Sequence, residues 1–240
     1  MDKESLGKEY LSIADMMSGL MMVFLFIAVV FMLDVQRSKN QIEHQKNAMA
    51  EIVEVAEHSR LRLHQELLQE FISDLKRWNA DILEDNTVRF NSPQVLFHQG
   101  KSMLQPQFKN ILDSFFPRYL AILLHYQEDI EAIRIEGHTS SDWLNADDIA
   151  TRYLNNVELS QQRALATLEY CYLLASLDEN LRKWLPQVLR ANGLSFAKPI
   201  FNADGSENAE QSRRVEFKVV TKAEEKLHKI LQRSRMRYSL

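Results

Sequence analysis

The hydrophobic positions of this chain change period three times. From Leu11 to Leu33 the chain reads LSIADMMSGLMMVFLFIAVVFML, 23 residues with a single charge, Asp15. As a helix that run is about 35 Å long, enough to cross a hydrocarbon core of ~30 Å with some tilt. A cleaved signal peptide is the rival reading. It calls for a shorter apolar core, a more basic start and small residues at a cleavage site. The head MDKESLGKEY instead mixes two Lys with three acids, and the run ends in VFMLDVQRS. The pattern predicts an uncleaved anchor. Lys3 and Lys8 precede the span while Arg37, Lys39 and Lys46 follow it, so the positive-inside rule gives no orientation.

From residue 34 to 86 the period becomes helical, with neither Gly nor Pro. Val35, Ile42, Met49, Ala56 and Leu63 recur every seven residues, with Ile52, Val53 and Leu67 as partial second-seam positions. Gln45, Ser59 and Glu66 interrupt that seam. The pattern fits a leaky heptad of a parallel dimeric stalk, and equally a solvated spacer helix. After Leu67 the apolar stripe shifts to Leu68, Phe71, Ile72, Leu75 and Ile82.

Near Thr87 the period changes again. TVRFNSPQVLF alternates as a strand with a break at Asn91–Pro93. QPQFKNILDSFFPRYLAILLHY predicts a helix with Pro117 as a kink or a join. AIRIEG is a short strand, Ser160–Leu177 a helix with Ser160 as its N-cap, and AKPIF and SRRVEFKVV two closing strands. The order β-α-β-α-β-β argues for a two-layer α+β domain over 87–221. The tail 222–240 is basic, with six Lys/Arg from Lys222 onward against two Glu, and reads as a solvated helix.

Composition narrows the choice. Net charge is −4, so no global field draws the chain to nucleic acid. Cys171 is alone, which excludes a disulfide framework or a thiolate metal site. The seven His lack ligand spacing, and no phosphate-binding glycine loop or nucleophile–His pattern occurs, so neither an enzyme nor a cofactor is expected.

Asp15 has two readings. Ser18, Gly19 and Met22 lie at i+3, i+4 and i+7 and share its face, a small polar strip suited to contact with protein rather than lipid. Alternatively Asp15 caps a helix that starts at Met16.

IEGHTSS (135–141), NNVELSQQRALATL (155–168) and SRRVEF (212–217) resemble the three landmarks of OmpA-like peptidoglycan-binding domains, GHTD, N-x-x-LS-x-x-RA and NRRV. In that family an acid pairs with the ammonium of the wall peptide's diaminopimelate and an Arg with its carboxylate. The resemblance assigns Arg163 to the carboxylate and Asn156 to the same edge. Thr139, Arg213 and Arg214 complete the set. Ser140 stands where the family has its Asp; either Asp142 supplies the acid from a rearranged loop that also holds Asp147 and Asp148, or the grip on the wall is weakened. His138 is expected to pack the loop rather than to catalyse.

A single span with an acid near its start, a helical segment and such a domain together resemble MotB-type stator subunits, and Ala14–Met17 matches their ADFM-type segment. The resemblance implies that Asp15 carries a proton. It also implies a short cytoplasmic head (1–10), a periplasmic C-terminal domain and a plug within Val35–Met49. Two copies are implied inside a five-subunit ring of a multi-span MotA- or ZorA-like partner. The altered GHTSS, the long insert before LSQQRA and the extended stalk resemble the ZorB family of Zorya anti-phage defence. That implies peptidoglycan as an anchor, indirect contact with cytoplasmic effectors and no direct nucleic-acid partner. A flagellar stator subunit and a passive membrane-to-wall tether are the alternatives.

Overall fold

The structure, a computed structural model, describes residues 3–91, 93–143, 148–174 and 176–222. Asp147 and the basic tail beyond Lys222 lie outside the described residues. The chain divides into two compact units between Val53 and Glu54. The helix α1, Lys3–Trp78, contributes to both.

In the first unit the large apolar side chains from Ile13 to Leu33 are exposed all round the helix. A helix apolar on every side is at home in lipid or in the core of a larger assembly. It is long and apolar enough to cross a membrane. Because α1 already runs from Lys3, Asp15 lies inside it and is not an N-cap. The Ser18 hydroxyl donates to the Asp15 carbonyl oxygen at 3.0 Å.

The second unit begins with the rest of α1. Leu63, Leu67, Phe71 and Trp78 form a buried stripe that packs into the unit's own core. The expected seam is corrected here: Leu63 and Leu67 are spent on this core. Ile72 is exposed, and the helix stops at Trp78 instead of continuing to residue 86. Asn79 takes a left-handed φ of 48°, as residues that end helices often do. The chain then enters β1 (Ala80–Ile82), turns, and returns as β2 (Val88–Phe90). Arg118 fastens α1 to α3 (Pro106–Leu124): its Nε donates to Glu70 at 2.6 Å, its Nη1 to Asp74 at 2.8 Å, and its guanidinium lies 4.8 Å from the Phe71 ring centroid.

The remaining elements are α2 (Pro93–Leu96), β3 (Ile130–Gly137), α4 (Ile149–Tyr172), α5 (Glu179–Val188), β4 (Leu189–Gly193), α6 (Ala209–Ser212) and β5 (Val215–Thr221). The strands form one mixed sheet in the order β1-β2-β5-β3-β4. β3 and β4 are parallel and the other pairs antiparallel. Phe71, Phe90, Phe108, Phe115 and Phe217 meet between helices and sheet, with Phe115 and Phe217 centroids 5.1 Å apart. Tilted and edge-on ring pairs of this kind add about 0.5–1.5 kcal/mol each beyond the area they bury.

Four sequence expectations are corrected. Pro117 neither kinks α3 into two elements nor ends it, because the face carrying Phe108, Leu112, Phe115 and Leu123 is wholly buried and outweighs the lost hydrogen bond. Ser160 is not a cap: α4 starts at Ile149, with the Asp148 carboxylate accepting from Thr151 N–H at 2.8 Å. AKPIF is irregular, and only Phe201 makes an isolated bridge, to Glu207. The elements α5 and β4, absent from the expected order, supply the parallel edge of the sheet.

Gly137 and Gly193 lie opposite one another in the β3–β4 register. A Cβ at Gly137 would collide with the Ser160 carbonyl oxygen, and one at Gly193 with the backbone of Gln161. The α4 backbone therefore rests directly on the sheet. Gly137→Ala is expected to cost about 3 kcal/mol by chemical denaturation; a loss under about 1 kcal/mol would mean that the helix can ride outward freely. The Tyr119 hydroxyl is fully buried and has no hydrogen-bond partner among the described residues, and burial pushes its phenol pKa far up. Tyr119→Phe should leave stability unchanged or raise it by up to about 1 kcal/mol, and a marked loss would reveal a partner for that hydroxyl.

Candidate functional site

Where β3 ends, the chain leaves the sheet through His138 and forms one wall of an open pocket of about 470 Å³. Thr139, Ser140 and Asp142 contribute that wall. Asn156, Leu159 and Arg163 contribute a second from successive turns of α4, and Arg213, just before β5, a third. The fourth, with Gln94, Phe97 and Gly100, comes from α2 and the loop after it. Five of the six residues expected at the wall site therefore meet in one cavity. The sixth, Arg214, does not line it. Arg214, the last residue before β5, turns inward and is buried.

The pocket is cationic. Arg163 is buried; its Nε donates to the Lys101 carbonyl at 3.0 Å and its Nη2 to the His98 carbonyl at 3.4 Å, with its guanidinium 5.0 Å from the Phe97 ring centroid. Burial, together with the nearby Arg213 charge, pulls its pKa down to about 10, so it remains charged at neutral pH. Arg213 Nη1 donates to the Ser140 hydroxyl at 3.4 Å. Neither guanidinium has a carboxylate partner among the described residues. Asp142 is exposed, and its carbonyl accepts from the Asn156 amide at 3.5 Å. The buried Thr139 hydroxyl has no hydrogen-bond partner among the described residues. Chemically this is a receptor for an anionic group of a ligand, with one carboxylate at its mouth for a positive one. Sequence reasoning passed over Phe97 and Trp143. Trp143 was legible as a lone large aromatic in a polar loop, whereas Phe97 reaches the pocket only through the fold.

Behind the pocket lies a buried cluster of charged side chains and His138. Glu136 and Glu216 stand directly opposite each other on β3 and β5. Arg214 Nε and Arg89 Nε both donate to Glu216 Oε1, at 2.7 and 2.8 Å. His138 Nε2 lies 3.4 Å from Glu216 Oε2 and 3.9 Å from Glu136 Oε2. These three side chains place ligating atoms within 4.8 Å of one another. Both guanidiniums contact Glu216, and Glu136 Oε2 is buried without a hydrogen-bond partner among the described residues; the two positive charges nevertheless offset the two carboxylates, and a divalent cation would bring two further charges into a buried site. The arrangement is an ion-pair network in which a neutral His138 packs the loop base.

No protein-family model matches the chain. Among solved structures it is similar to a MotB-like protein from Desulfovibrio vulgaris, at 25% identity and TM-score 0.49 over 69% of this chain and 96% of that one. It is also similar to the cell wall anchor of the T6SS from Pseudomonas aeruginosa, at 19% identity and TM-score 0.44 over 65% and 96%. The periplasmic domain of Helicobacter pylori MotB gives 17% identity and TM-score 0.43 over 65% and 97%. In class, the chain combines a helix long and apolar enough to cross a membrane with a mixed α+β unit. It is 42% identical over 231 residues to the Zorya protein ZorB of the Crooks strain of Escherichia coli, covering 96% of this chain and 95% of that one. The chain belongs to the ZorB family.

The network sets the acid response of the folded unit. Burial, with the Arg214 charge adding to it, holds His138 below its ordinary pKa of 6.5 despite the opposing pull of Glu216. Burial alone would raise Glu216, but its contact with His138 and the Arg214 charge overcome that and hold its carboxyl below the ordinary 4.5. In both cases the unfolded chain takes up the proton first, so stability is greatest above the ordinary value and falls with acidification. Melting of the full chain in detergent should drop as pH falls below 6.5, and again below 4.5. His138→Gln should flatten the first of these decreases; an unchanged profile would remove His138 as its source.

Proposed function

We propose that this chain is the membrane subunit of a proton-driven, stator-like complex of anti-phage defence, anchored to peptidoglycan by the pocket between β3, α4 and the Arg213 segment. Membership of the ZorB family, at 42% identity over nearly the whole chain, carries this reading. The cationic pocket supports it: Arg163 and Arg213 are placed to take a carboxylate of the wall peptide, and Asp142 to meet its amine.

In this reading the head is cytoplasmic and the folded unit periplasmic, with two copies inside a five-subunit ring of a ZorA-like multi-span partner. Asp15 is the ion site. A carboxylate shielded between helices can exist in neutral and charged forms. A proton driven across 100 mV releases about 2.3 kcal/mol, which taking up and releasing it at Asp15 would couple to rotation of the ring. Ser18 and Gly19 give the helix a narrow face on which a partner can approach closely. The wall-bound domain holds the axle still.

The decisive assay is phage plating on cells carrying the intact system, with wild type and Asp15→Asn at matched membrane levels. Wild type should protect and the mutant should not, since the amide keeps the shape of the side chain and loses its proton. Equal protection would sink the ion-driven mechanism and leave a passive tether. If neither protects, the defence reading is wrong, and loss of swimming on deletion would put a flagellar role in its place.

A further inference from the structure

The loop that walls the pocket is held residue by residue. His138 N–H donates to the Arg214 carbonyl at 3.0 Å and Thr139 N–H to the Ser195 carbonyl at 2.9 Å. The Ser140 hydroxyl is held by Arg213. Ser141 is held by Glu207: its N–H lies 3.1 Å from Oε1 and 3.3 Å from Oε2, and its hydroxyl donates to Oε2 in a very short contact. Ser141 is absent from the pocket lining while Ser140 and Asp142 belong to it, so the carboxylate grips the loop from behind.

Glu207 and Arg213 flank α6, which fixes both. Asn208 caps that helix by accepting from Gln211 N–H at 3.0 Å, and its own N–H donates to the Ile200 carbonyl at 2.7 Å. At the other end the Ser212 hydroxyl accepts from Ile200 N–H at 2.9 Å. One short, doubly tied segment thus offers an anion and a cation to two successive serines. A carboxylate bound to a main-chain N–H makes a charge-assisted bond, about twice as strong as a neutral one.

We infer that Glu207 is the positioning residue of the pocket. It supplies, from across the fold, the carboxylate that organises a loop in which position 140 is a neutral serine, and so leaves Asp142 free to face the ligand. Asp142 makes no side-chain hydrogen bond or ion pair among the described residues, in keeping with that division of labour. The inference rests on the reading of the pocket as the peptidoglycan site.

The test uses the full chain in detergent with purified peptidoglycan sacculi, measuring co-sedimentation, melting temperature and hydrogen exchange in the peptide covering 138–143. Glu207→Ala should weaken retention by about tenfold and raise exchange in that peptide, with melting nearly unchanged. Glu207→Gln keeps an acceptor for Ser141 N–H and should restore most of the binding. Ser141→Ala should add little further loss on top of Glu207→Ala, because both act through one contact. Retention and loop exchange like wild type in Glu207→Ala would overturn the inference, as would global melting far below wild type, which would make Glu207 a residue of the fold at large. Wild-type chain that fails to sediment with sacculi would refute the wall reading by itself, and the exchange arm would still decide the role of Glu207.

Discussion

The pocket depends on the absence of two side chains. Gly137 and Gly193 let the backbone of α4 settle onto β3 and β4 where any Cβ would strike Ser160 or Gln161. The gap they leave is used for hydrogen bonds. Gln161 accepts from Gly193 N–H at 2.7 Å and donates to the Ala191 carbonyl at 3.3 Å, pairing main-chain groups on the β4 edge that would otherwise lie open. The Ser160 hydroxyl accepts from Ser195 N–H at 3.0 Å, and the Ser195 carbonyl in turn receives Thr139 N–H. Helix, sheet edge and loop are thereby joined through one fully buried serine. Asn156, Leu159 and Arg163 reach the cavity because their helix is held at this distance.

Charge is sorted across the same layer. Arg213 serves the pocket and Arg214 the interior, on the two residues that link α6 to β5. Two glutamates facing each other across β3 and β5 would repel, and the network of Arg89, Arg214 and His138 makes that register tolerable. Buried ion pairs of this kind contribute little net stability, but removing one partner strands the other. The network therefore acts chiefly on geometry: it fixes where β3 and β5 end relative to each other, and so where the loop after Gly137 departs.

Features that need only contiguous residues were legible in the sequence. The apolar run, the helix containing Arg163, the strand after Arg214 and the pocket set Thr139, Asp142, Asn156, Arg163 and Arg213 were all readable from local pattern or motif. Features that depend on long-range partners were not. Ser160 looks like a helix cap because serine usually is one there; only Ser195, brought in from the β4 side, gives it an interior role. The stripe from Leu63 to Trp78 looks like more stalk, since burial against a neighbouring helix and burial against a sheet leave the same periodicity. Glu136 and His138 lie two residues apart, but their third partner, Glu216, lies far along the chain. Glu207 carries no motif at all, and its meaning comes only from its contact with Ser141.

The boundary of the folded unit bears on how such a subunit could resist a load. The segment Glu54–Trp78 is no appended spacer: Leu63, Leu67 and Phe71 are core residues, and Arg118 ties Glu70 and Asp74 to α3. Phe71 on this helix packs against Phe115, which in turn packs against Phe217 of β5. From Phe217 β5 runs back to Val215, and the two residues before it are Arg214, in the ionic network, and Arg213, in the pocket lining. Core, ionic network and pocket thus follow one another along one short stretch of chain, Arg213–Phe217. In the proposed function, where the wall must hold the axle while the ring turns, the stiffness of the anchor is that of β5 and of the helix that two glycines allow to lie against its neighbours.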